Sequence, residues 1–100
     1  MSLQQLILKL VEKIRDPSDR IYIASTINYI RDVYTTGKMG YEELKMELEN
    51  IVRDIIAMSE PELTEEEIRE RAREYADKLA RAIQIETLSR RIRTAFRIRF

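Results

Sequence analysis

The last eleven residues hold five arginines, Arg90, Arg91, Arg93, Arg97 and Arg99, set among Ile92, Phe96, Ile98 and Phe100. Guanidinium groups at this density can grip phosphates bidentately or pair with carboxylates of another protein surface. If this stretch is helical, Arg90, Arg93 and Arg97 share one face. Leu88, Ile92 and Phe96 then occupy another, with Ile85 one turn before them. If it is extended, the arginines line one side of a ribbon and the apolar residues the other. In either form the segment offers more apolar surface than a small monomeric bundle easily hides.

Other routes to chemistry are narrow. The 100-residue chain has no Cys and no His, so it lacks a thiolate nucleophile, an imidazole base and the ligands of a zinc finger. Its glutamates, among them Glu42, Glu43, Glu47, Glu49, Glu65–Glu67, Glu70 and Glu74, do not form the Glu-x-x-His pairs of a di-metal bundle. There is no EF-hand loop and no glycine-rich phosphate loop; both glycines flank Lys38-Met39. Most acids sit at expected helix N-termini or four residues before a base, as Glu49 to Arg53, Glu67 to Arg71 and Glu74 to Lys78 do. The expectation is a non-enzymatic protein with no cofactor and no metal. Tyr22, Tyr29 and Tyr34 could stack nucleobases, but few bases lie beside them, and packing at the edge of the core is the stronger expectation.

Charge is balanced in total and uneven in place. Residues 42–70 hold three bases and eleven acids, while residues 71–100 hold nine bases and three acids. Such blocks pair within an assembly or leave a basic end open to a polyanion. With 36% charged residues, arginine well above lysine and many isoleucines, the composition resembles that of proteins built for high temperature. No apolar run reaches the length of a membrane span, and Met1-Ser2-Leu3-Gln4 lacks the basic start of a signal peptide, so a cytoplasmic location is expected. A membrane role for the basic amphipathic end is a distant third choice.

The elements that must carry these residues are helices. Leu3, Leu6, Ile7, Leu10, Val11 and Ile14 recur at helical spacing, which predicts a first helix over about 3–15. Asp16-Pro17 places an N-cap and an N1 proline for a second helix over about 17–36. Its wide apolar arc, centred on Ile23, Ile27, Ile30 and Tyr34, predicts that it is the most buried of the set. Gly37 suits the left-handed C′ position, and Gly40 the N-cap of a third helix over about 41–58, with Leu44, Leu48, Ile51, Ile55 and Met58 inward. Leu63-Thr64-x-x-Glu67-Ile68 reads as a capping box with a hydrophobic staple, opening a fourth helix at about 65.

That fourth segment poses a conflict. Ile68, Ala72, Tyr75, Ala76, Leu79 and Ile83 form one stripe, but Ile85, Leu88, Ile92 and Phe96 lie about 150° around from it. Either the helix breaks near Gln84–Thr87, or its far end faces something outside its own bundle. The final ten residues fit both a helix to about Arg97 and a period-two strand. The expected fold is all-α, a four-helix bundle over 1–84 with an association or partner-binding segment over 85–100. Self-association, most simply a homo-dimer, through Ile85, Leu88, Ile92, Phe96, Ile98 and Phe100 is the leading functional expectation. The alternative is a nucleic-acid-binding accessory protein using Arg90, Arg91, Arg93, Arg97 and Arg99.

Overall fold

The structure, a computed structural model, describes the backbone of residues 1–99 and the side chains of residues 1–95. Four helices follow one another: α1 (Leu3–Val11), α2 (Pro17–Thr35), α3 (Tyr41–Ser59) and α4 (Glu65–Arg99). The fold is all-α.

Each helix starts where its side chains satisfy its first amides. Ser2 and Gln5 form a reciprocal capping box on α1, a start that apolar spacing does not signal. Asp16 accepts from the amide of Ser18, and Pro17 occupies N1. Gly40 opens α3 with no side-chain cap. Thr64 Oγ1 accepts from the Glu67 amide at 3.1 Å, and Glu67 returns the bond to the Thr64 amide at 3.0 Å. Gly37, at φ +81°, turns the chain after α2 in the left-handed region that glycine tolerates.

The α3–α4 hairpin is the main packing unit; α1 rests on α2 and α4, and α2 on α3. Leu44, Leu48 and Val52 of α3 and Leu79, Ala80 and Ile83 of α4 are wholly inaccessible to solvent. Small residues at Ala72, Ala76 and Ala80 let α4 approach its neighbours closely.

Three expectations are corrected. The first helix ends at Val11, capped by Glu12, rather than near residue 15. The amides of Lys13 and Ile14 bond three residues back in a tighter turn, which still brings Ile14 against the core. Helix α2 is not the most buried. Only Ile27 and Ile30 are fully covered, whereas five of the nine α1 residues are. A wide apolar arc needs neighbours on several sides, and α2 lies at the margin of the α3–α4 hairpin. On α3 the inward set is Leu44, Leu48, Val52, Ile55 and Ile56; Ile51 is partly covered and Met58 is exposed.

Helix α4 neither breaks nor gives way to a strand. It runs unbroken for 35 residues, about 52 Å at 1.5 Å per residue, and largely sets the 56 Å long axis of a molecule only 27 by 23 Å across. The extended alternative for the final ten residues is therefore set aside as far as Arg99. Five of those residues, 91–95, are exposed.

Candidate C-terminal association site

The bundle releases α4 at Thr87. Thr87 is buried, and its Oγ1 lies 3.1 Å from Oγ1 of Thr35, the last residue of α2. A hydroxyl pair suits this place, because each group satisfies the other where the apolar core runs out. One residue earlier, Glu86 takes Arg31 of α2 at 3.7 Å and Arg90 at 2.9 Å, and Arg31 also meets Asp32 at 3.1 Å. Beyond this point α2 has ended. The stretch from Leu88 to Arg99 adds about 18 Å of helix after this contact.

Two faces of this overhang differ in chemistry. Ile85 is 65% exposed, Leu88 50% and Ile92 57%, and at 100° per residue they span an arc of about 60° turned away from the bundle. Arg90 and Arg93 lie about 140–160° from Leu88, on the side that continues the buried stripe. The expected displacement of the two apolar faces is thus present in an unbroken helix. Arg91 flanks the apolar arc. Among the described residues, Arg90 is committed to Glu86, while Arg91 and Arg93 are exposed and form no ion pair. Thr94 donates to the carbonyl of Arg90, a bond internal to the helix. The side chains of Phe96, Arg97, Ile98, Arg99 and Phe100, named as candidates from the sequence, lie outside the described residues.

The apolar arc does not stop at Ile85. Met1, Leu6, Tyr75, Ala82 and Ile85 line a shallow concavity between α1 and α4, with Lys9, Lys78 and Arg81 around its edge. Helix α1 runs back along α4 here, tied by the Tyr75 hydroxyl, which donates to the Leu6 carbonyl at 2.6 Å. Burial, and then the charge of Glu12, raise the Tyr75 phenol above its ordinary value. Periodicity from Leu88 onward did not reveal Met1 and Ala82 as neighbours of the site. They are remote in sequence, and only the α1–α4 packing joins them to it.

The other sequence candidates fall elsewhere. Tyr34 packs edge-on to Tyr41, with ring centroids 6.4 Å apart. Tyr22 and Tyr29 do not take the core-edge position expected of them; both are about two-thirds exposed, as is Ile21 beside them. Arg20 bonds the Ile14 carbonyl and Arg31 joins the Glu86 cluster, so neither base flanks those two rings. Glu49 meets Arg53 as expected, and also Arg73 across the hairpin. Arg71 turns to Glu60 at 3.1 Å instead of Glu67, whose carboxylate is occupied by the Thr64 cap. Glu74 and Lys78 do not pair within the described residues. Among the described residues there is no cluster of carboxylates suited to a metal ion, and no helix is long and apolar enough to cross a membrane.

The fold and this end of α4 define a class: a small helical bundle with an outrunning, two-faced terminal helix. Comparison with family models, curated proteins and solved structures finds no match to the chain.

Proposed function

We propose that this protein is a non-enzymatic helical interaction module that self-associates through its C-terminal segment, residues 85–100. The observation that carries the reading is the exposed arc of Ile85, Leu88 and Ile92 on a helix that continues for about 18 Å of its own length after its Thr87 contact with the end of α2. Three large aliphatic side chains in one stripe, continuous with the Met1–Ala82 concavity, make the kind of contiguous patch that marks a contact surface. Arg90 and Arg93 stand on the opposite side, so the apolar arc can be desolvated without burying those two.

The second reading, binding of nucleic acid through the arginines, is favoured by the exposure of Arg91 and Arg93. It is weakened by the engagement of Arg90 with Glu86. The response to salt separates the two readings.

Sedimentation or light scattering on the full chain at tens of micromolar is the direct test. The expected result is a dimer that reverts to monomer in Leu88→Glu/Ile92→Glu, because each substitution places a charge in a surface that must lose its water. Both positions are exposed, so the variant should retain its helical spectrum. A monomeric native chain would overturn the reading.

A further inference from the structure

The α1–α4 concavity stands out by its charge. The chain holds as many acids as bases, yet the lining of this concavity holds three bases and no acid. Lys9 and Lys78 are exposed and form no ion pair among the described residues, while Arg81 meets Asp77 at 3.1 Å. The nearby acids, Asp77 and Glu74 on α4 and Glu12 after α1, stay outside the lining. On α4, Tyr75 and Ala82 lie toward α1, and Lys78 and Arg81 lie about 40–120° further round, on the outer rim. Lys9, about 60° from the buried Leu6 on α1, forms the facing rim. An apolar floor thus runs between two basic edges, and the lysine stems widen it on both sides.

Shape selects the kind of partner. The volume, about 390 Å³, is that of a small-molecule site, but the concavity is shallow and open along its length. A small molecule there would keep much of its surface wet, whereas ligand sites bury most of theirs. A helix needs only one face covered, and the α4 edge from Tyr75 to Ile85, about 15 Å, matches roughly three helical turns. Two basic edges then call for a helix whose apolar stripe carries carboxylates on both shoulders. Among the described residues this chain exposes no such helix. Helix α1 contains no acid, and α3 exposes Met46 and Met58 about 120° apart. On α2, Ile21, Tyr22 and Tyr29 form a stripe, but Asp32 falls inside it and pairs with Arg31, and Asp19 stands on one shoulder alone. The exposed seam of α4 itself, Ile85, Leu88 and Ile92, is flanked by Arg81 and Arg91, so bases would meet bases.

We propose that the α1–α4 concavity is a docking site for an acidic amphipathic helix of another protein. The apolar stripe of that helix seats on Leu6, Tyr75 and Ala82, and its carboxylates pair with Lys9 on one side and with Lys78 and Arg81 on the other. Arg81 has donors to spare beyond its bond to Asp77. The site adjoins the self-association seam at Ile85 and does not depend on it.

The probe is a fluorescent synthetic helix of about 18 residues, with a leucine stripe and glutamates on both shoulders, titrated with the full chain and followed by anisotropy. A second probe carries lysine in place of each glutamate. The native chain should bind the glutamate helix about tenfold more tightly than the lysine helix. Lys9→Glu/Lys78→Glu, at two exposed positions, should invert that preference. Ala82→Arg should weaken the glutamate helix about tenfold even though it adds a positive charge, because the new side chain fills the floor. Equal affinity for the two probes would overturn the proposal. Tighter binding by Ala82→Arg would overturn it as well, since charge alone would then be at work. So would phosphatidylglycerol vesicles that bind the native chain and not the double variant while the two probes bind alike, which would give the surface to a membrane. Loss of self-association in Lys9→Glu/Lys78→Glu would put a second copy in the concavity and equally defeat the proposal. A native chain that sediments as a monomer yet discriminates between the probes would defeat the self-association reading and leave this one standing. Helical spectra matched to the native chain confirm that the variants are folded.

Discussion

Thr64 and Tyr75 show how much single polar groups do in this fold. The Thr64–Glu67 box satisfies two amides that the start of α4 would otherwise leave to water. Thr64→Ala should therefore lower stability by about 0.5–2 kcal/mol, read from the midpoint of chemical denaturation. The bonds from the Thr64 backbone and side chain hold the Glu67 carboxyl below the ordinary glutamate value. A depressed folded value means that the contribution is present at neutral pH and fades as pH falls through it. Glu67→Gln should flatten that acid dependence. Tyr75 works in the other direction. Its raised phenol value favours the protonated form in the fold, so stability is full below the ordinary phenol range and declines as pH rises through the folded value. Tyr75→Phe should remove this alkaline decline and cost about 0.5–1.5 kcal/mol at neutral pH, since the bond to the Leu6 carbonyl is lost. The two glycines separate as well. Neither would meet a neighbour within 4 Å if it carried a Cβ, so only backbone conformation decides. Gly37→Ala, at φ +81°, should cost roughly 1–2 kcal/mol. Gly40→Ser, in extended backbone at an N-cap, should stabilise by a few tenths.

At the scale of elements, the sequence was legible where local chemistry decides and opaque where neighbours decide. Asp16-Pro17, Gly37, Gly40 and Thr64-x-x-Glu67 fixed helix boundaries because a cap is satisfied within four residues. The early end of α1 was hidden because Ile14 keeps the apolar spacing while its backbone tightens into a turn. The burial of α2 is less than its pattern suggests because Tyr22 and Tyr29, which widen the apolar arc by spacing, stand exposed in the fold. Of the candidate site, the displaced stripe of Ile85, Leu88 and Ile92 could be read from angles alone, whereas Met1 and Ala82 could not. The unbroken course of α4 explains the displacement. A straight helix cannot turn its apolar face by about 150°, so the far end presents that face to the outside. This gives a prediction for the element. Removing residues 91–100 should leave the bundle's cooperative unfolding intact, since residues 91–95 are exposed and outside the buried core, while the mass in solution falls to that of one chain. By contrast Leu79→Ala, at a fully buried position on α4, should cost about 2–5 kcal/mol.

For the whole molecule, the uneven charge turns salt into the decisive variable. The segment 71–100 is strongly basic and 42–70 strongly acidic, so any partner meets a polarised surface. If the arginines grip nucleic acid, each phosphate contacted releases a counterion. About four contacts would then lower affinity for duplex DNA roughly a hundredfold between about 50 and 200 mM salt. The dimer seam should answer with the opposite sign. Its core is apolar and the bases beside it at Arg81 and Arg91 are of one charge, so screening by salt removes no attraction from the contact. Self-association should therefore hold or strengthen over the same range, measured by sedimentation at several salt concentrations. Fluorescence anisotropy with one labelled duplex and one labelled single strand completes the comparison, with little binding expected at about 150 mM because the chain's acids oppose the polyanion. Arg93→Ala/Arg97→Ala is the matching variant, since Arg93 lies on the side of α4 turned away from the apolar arc and Arg97 follows it at helical spacing in the sequence. Tight, salt-sensitive binding that this variant abolishes while the dimer persists would assign the arginine face to phosphates and make dimerisation its support rather than the function itself.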